Sequence, residues 1–174
     1  MQNLISGFTT REVVDLTKVN PNSLRYWLEN KILEPQKIPV GKGTRNTYLY
    51  SFSQLVEVKA IMALRKNVTV KTIRAVKTFI SDHFESSNIS DKPIIVLNNG
   101  DKSDVYLQGD NRFLTQITGM NVGQITHMDL IFIPSINTHI VEIVKTVKHG
   151  DSKSVDLINF RARLSGSKFL KLVA

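Results

Sequence analysis

Cysteine is absent from this chain, which removes disulfides, thiolate metal sites and cysteine nucleophiles together. Long apolar runs are absent too. Nothing approaches the ~18 consecutive apolar residues of a membrane span, and the first residues lack the basic, apolar and small-residue series of a signal peptide. A cytoplasmic protein with no membrane partner is expected. The four histidines, His83, His127, His139 and His149, are scattered, and His127 and Asp129 have no third ligand nearby. Asp101, Asp104 and Asp110 lie close together, yet "GDKSD" lacks the oxygen ligands of a calcium loop, and a solvated hairpin tip accounts for it. No glycine-rich nucleotide loop occurs. No enzyme, metal or cofactor is therefore expected.

Acidic residues are scarce in one half only. Residues 1–84 hold 13 Lys/Arg against 6 Asp/Glu, and residues 85–174 hold 10 against 9, so nearly all of the net charge of +8 sits in the first half. A surface with that imbalance suits a polyanion, and nucleic acid is the natural one, because neutralised phosphates release counterions. The remaining composition, 41% hydrophobic over 174 residues, is enough for a buried core and two small domains.

Four helices are expected in the first half, each opening on its own cap. Thr9 caps the first, with Glu12 three residues on and Phe8 with Val13 as a staple. Thr17 to Val19 form a turn, and Asn20 caps the second helix, with Pro21 in the first position and Val19 with Leu24 repeating the staple. Leu24, Trp27 and Leu28 follow helical spacing and face the core, so Asn22, Ser23, Arg25, Tyr26 and Glu29 turn outward or to the flanks. Asn30 is expected as a left-handed stop, after which Ile32 and Leu33 return to the core. The third helix is capped by Ser51 with Gln54, and Leu55, Val58, Ile61 and Met62 point inward. Thr69 caps the fourth, with Ile73, Val76 and Ile80 inward. Between Glu34 and Glu57 stand 22 residues without one acid, and "KIPVGKGTRNTYLY" reads as a hairpin turned at Gly41-Lys42-Gly43.

Two short helices joined by a three-residue turn make a helix-turn-helix, and a basic hairpin behind them makes a wing. The second helix, residues 20–29, then lies in a major groove, with Asn22 and Ser23 as the base-contact candidates. Arg25 can read a guanine or clamp a phosphate, and Tyr26 can give its hydroxyl to a phosphate or cover the domain edge. Lys37, Lys42, Thr44 and Arg45, in the wing at 37–48, are phosphate candidates, with a solvated surface as the alternative for Lys37.

"FTTREVVDLTKVNPNSLRYWLENKIL" resembles the opening of MerR-type winged-helix regulators, and "TRNTYLYSFSQLVEVKAIMALRKNVTVKTIRAV" resembles their wing and second helical pair. The resemblance covers about residues 6–82. It implies that Thr10, Arg11, Arg25, Tyr26 and Arg45 touch the DNA backbone and that Asn22 and Ser23 face the bases. Lys18 and Lys31 stand where that pattern has glycines, and the wing is longer around Gly41-Lys42-Gly43.

The second half reads less sharply. "ESSNISDKP", residues 85–93, is a linker by composition. "PIIVLNNGDKSDVYLQ" forms a hairpin around Asn99-Gly100, and "FLTQITGMNVGQITHMDLIF" holds one or two short helices. "HIVEIVKTVKHGDSKSVDLINF" is taken as a hairpin turned at Gly150-Asp151, although Ile140, Ile143, Val144 and Val147 also suit a helix. "YSFSQLVEVKAIMALR", "DVYLQ" and the Gly123-Gln124 step resemble MerR-like VapB-class antitoxins, which implies as an alternative a DNA-binding antitoxin that grips a toxin through its rear half.

The expectation is thus an α+β protein. Residues 1–84 form a winged helix-turn-helix of four helices and a hairpin, 85–93 a linker, and 94–174 a small mixed α/β domain for dimerisation or partner binding. The expected partners are palindromic double-stranded DNA and a second copy of the chain.

Overall fold

Caps place the first elements. The computed structural model describes residues 7–42, 45–64, 68–84, 91–100, 102–165 and 167–173. Strand β1 (Phe8–Thr9) runs directly into α1 (Thr10–Thr17). The Thr9 N–H donates to Glu12 Oε2 at 2.8 Å and the Glu12 N–H to Thr9 Oγ1 at 3.4 Å, so the expected capping box satisfies two donors that a helix start leaves open. Helix α2 (Pro21–Glu29) opens on Asn20, whose side chain accepts from the Asn22 N–H at 2.8 Å.

Both helices end on a left-handed lysine, Lys18 at φ 62° and Lys31 at φ 51°. Behind α2 the Lys31 N–H reaches the Leu28 carbonyl at 3.1 Å and the Ile32 N–H the Trp27 carbonyl at 2.8 Å. That bond pair puts the left-handed residue at 31. Asn30, expected as the stop, has φ −87° instead.

Strands β2 (Gln36–Pro39) and β3 (Asn46–Tyr50) form the expected hairpin, antiparallel from Gln36↔Leu49 to Pro39↔Asn46. Gly41 takes φ 70° at its tip, and Gly43 and Thr44 lie outside the described residues. β1 pairs with the other edge of β3, giving the order β1-β3-β2. Helix α3 (Phe52–Met62) has the Ser51/Gln54 box. It buries Leu55, Val56, Val58, Ala60 and Ile61 nearly all round, but Met62, expected inward, is 38% exposed as the last residue of the helix. In α4 (Val70–Phe84) the Thr72 N–H donates to the Thr69 cap at 3.2 Å, and Ile73, Val76 and Ile80 are buried.

Next come β4 (Ile94–Asn98), β5 (Ser103–Leu107), α5 (Asn111–Thr118), α6 (Val122–Thr126) and β6 (Asp129–Ile133). The β4–β5 hairpin turns through Gly100 at φ 87° as expected, and β6 pairs with the free side of β4, giving the antiparallel order β5-β4-β6. As the central strand, β4 buries Ile94, Ile95, Val96 and Leu97 on both faces. Residues 85–90 of the expected linker and Asp101 lie outside the described residues.

The expected hairpin at Gly150-Asp151 is corrected. The chain forms α7 (Ile136–Lys148), α8 (Leu157–Arg163) and α9 (Leu170–Val173). A strand would expose every second Ile or Val. The helix instead buries Ile136, Ile140, Ile143, Val144 and Val147 on one stripe and leaves Glu142, Lys145 and Lys148 outside, so period outweighs the β-branched composition. Gly150, at φ 70°, ends this helix: its N–H meets the Val147 carbonyl at 3.2 Å, and the Asp151 N–H meets the Thr146 carbonyl at 3.0 Å.

Two compact units result, Met1–Lys59 with Ile140–Ala174, and Ala60–His139. The described part of the expected linker, residues 91–93, falls inside the second. Aromatic packing shows why the rear of the chain belongs with the front: Phe160 is fully buried, 5.7 Å from the Phe8 ring and 5.8 Å from the Phe52 ring, and Phe169 lies 5.4 Å from Phe52. Arg163 forks onto Glu12 at 2.7 and 2.8 Å, donates to the Gly7 carbonyl at 3.1 Å, and stacks 5.1 Å from the centre of the Phe8 ring. In the second unit, the Thr72 and Ser103 hydroxyls share a hydrogen bond of 2.8 Å, and Gln116 accepts from Tyr106 and donates to Asp104.

Candidate nucleic-acid interface

Burial of two side chains orients α2. Leu24 and Trp27 are in the core, so Asn22 and Arg25 are exposed, Tyr26 is 47% exposed, and Ser23 is half-buried. Leu28, expected in the core, is half-buried at the flank. Donation from Asn30 Nδ2 to the Tyr26 carbonyl at 2.8 Å ties down the last turn. The outer face of α2 therefore presents an amide, a guanidinium and a phenol to solvent.

The hairpin carries its cations outward. Lys37 is exposed and its ammonium lies 5.9 Å from the centre of the Tyr48 ring, near enough for a weak cation–π contact. Lys42 and Arg45 are exposed at the tip, where the Val40 N–H closes onto the Arg45 carbonyl at 3.0 Å. A groove of about 460 Å³ runs between the exit of α2 and the hairpin, lined by Leu28, Glu29, Lys31, Leu33, Lys37 and Tyr48. Thr10 and Arg11 are exposed in the first turn of α1. Of the expected site residues, only Thr44 lies outside the described residues.

Two carboxylates of α1 are committed to internal partners. Burial alone would raise the Glu12 carboxyl, but the Arg163 guanidinium and the Thr9 N–H outweigh it and hold it below its ordinary 4.5. Asp15 behaves alike: burial opposes its charge, and hydrogen bonds from Ser154, Ser152 and Lys153 hold it well below its ordinary 3.8. The same contacts bring Lys18 and Lys153 beside Arg11, two lysines that are not among the expected DNA-contact residues. Lys153 is 135 positions beyond Lys18 in the chain, and no local spacing marks it.

Two short capped helices, a left-handed turn and a basic strand hairpin define the helix-turn-helix class. More particularly, residues 8–81 match the model of the MerR HTH family regulatory proteins, and over this stretch, somewhat under half of the chain, the protein carries a MerR-type helix-turn-helix, a domain of DNA-binding transcription regulators. No curated protein matches the chain. Among the described residues no group of three or more histidines and carboxylates is placed to hold a metal ion, and no helix is long and apolar enough to cross a membrane.

Proposed function

We propose that this protein is a sequence-specific double-stranded DNA-binding transcription regulator that reads a major groove with α2 and rests its hairpin on the flanking phosphates. The observation that carries this is the outward polar face of α2, held there by the buried Leu24 and Trp27. Asn22 and Ser23 stand in its first turn, the part of a recognition helix that meets base edges. Arg25, Tyr26, Thr10, Arg11 and the hairpin residues Lys37, Lys42 and Arg45 take the phosphates, which fix register without reading sequence.

A helix of nine residues spans only about 13 Å, so one copy reads a few base pairs. A homodimer on a palindrome, with half-sites about one helical turn apart, supplies the rest. The test is to recover genomic fragments bound by the full chain and to compare binding of the recovered site with a scrambled duplex at several salt concentrations. Preference for the recovered site supports the proposal, and failure to bind any duplex at low ionic strength overturns it.

A further inference from the structure

We infer that the loop following α7 adds a DNA-phosphate contact of its own, with Lys153 completing a three-cation seat beside Arg11 and Lys18. The inference rests on the duplex-binding function proposed above and extends its footprint to a part of the chain outside residues 8–81.

Arg11, Val14, Asp15 and Lys18 form one stripe of α1 at helical spacing. With Val19, Lys153 and Ser154 they line a shallow groove of about 460 Å³. The loop is fixed against that stripe by a single oxygen: Asp15 Oδ2 accepts from Ser152 Oγ at 2.9 Å, from the Lys153 N–H at 2.7 Å, from the Ser154 N–H at 2.7 Å and from Ser154 Oγ at 2.6 Å. Lys18 Nζ braces it twice, on Asp15 Oδ1 at 3.3 Å and on the Asp151 carbonyl at 3.1 Å. Asp15 holds Lys153 by its backbone, which leaves the ammonium exposed. Among the described residues neither Arg11 nor Lys153 has an ion-pair partner. Three cations therefore face Asp15, whose charge is spent on the loop, and the exposed Asp151, so the groove is net positive. Lys18 stands two residues before the Asn20 cap of α2, which makes the groove continuous with the proposed reading helix. A loop held this rigidly brings its cation to a phosphate with little ordering cost.

The experiment titrates the full chain against the recovered duplex over a range of salt concentrations, for the wild type, Lys153→Gln, Lys153→Arg and Lys171→Gln. Lys153→Gln keeps the backbone bond to Asp15, so its melting temperature stays at the wild-type value. Its affinity falls about three- to tenfold at low salt and its log–log salt slope drops by about one. Lys153→Arg restores the slope. Lys171→Gln, which removes an exposed charge on α9, leaves it unchanged. A wild-type slope for Lys153→Gln, or an equal loss for Lys171→Gln, overturns the inference while the duplex-binding function stands. A wild type that binds no duplex overturns both.

Discussion

Asn22 and Arg45 are both exposed, yet they should fail differently. In the proposed reading Asn22, in the first turn of α2, offers a donor and an acceptor to a base edge, so Asn22→Ala should relax preference at one base pair and cost about 1–3 kcal/mol on the cognate site. Equal losses on cognate and random duplexes would take Asn22 off the base-reading face. In the same proposed reading Arg45 meets only phosphate, so Arg45→Ala should weaken every sequence alike and lower the salt slope by about one. A third residue-level effect concerns acid. Glu12 and Asp15 are both held below their ordinary values of 4.5 and 3.8, so around those pH values the folded chain binds fewer protons than the unfolded one. Their contribution is complete above about pH 5 and is lost as pH falls through the lower folded values. Melting temperature should fall steeply from pH 5 to pH 3, and Asp15→Asn should flatten that limb. An unchanged limb would show that the loop bonds to Asp15 are not kept in solution.

Elements were legible where their signals are local. Thr9, Asn20, Ser51 and Thr69 each sit within three residues of the backbone N–H they cap, so a sequence shows both partners at once. The short β1 has too few residues for a periodic signal and exists through pairing with β3, some forty positions on. α7 is not legible locally, because Ile and Val favour strands and Gly150-Asp151 looks like a hairpin turn. Only burial against distant residues decides between the two periods, and the same glycine then serves as a helix stop. Helix ends also carry a cost that the sequence hinted at. Lys31 stands where the resembling family has glycine, and it takes φ 51°, a region that penalises a side chain with Cβ. Lys31→Gly should therefore stabilise the fold by about 0.5–1 kcal/mol, after allowance for the looser unfolded chain, as read by denaturant unfolding. Destabilisation would mean that the Lys31 side chain makes a contact worth more than the strain.

At the scale of the molecule, the expectation of an independent front domain meets a core that the front does not own. Phe160 sits fully buried between Phe8 and Phe52, and Arg163 is the partner of Glu12. No composition change or linker announces this, because an aromatic residue pairs across more than a hundred positions without any local pattern. Two measurements follow. Phe160→Ala opens a cavity lined by two aromatic rings and should lower unfolding free energy by about 3–5 kcal/mol, a large part of the 5–15 kcal/mol that holds a typical domain together. A fragment of residues 1–84 loses Phe160 and leaves Glu12 without its guanidinium, so its near-ultraviolet circular dichroism should be weak and its melting broad, and its DNA affinity should drop in step with its folded fraction. Phe160→Leu, which refills most of the space, should recover more than half of the loss. A fragment that melts as sharply as the full chain and binds DNA as tightly would show that α8 covers a surface already stable without it, and that the helix-turn-helix is held by its own residues alone.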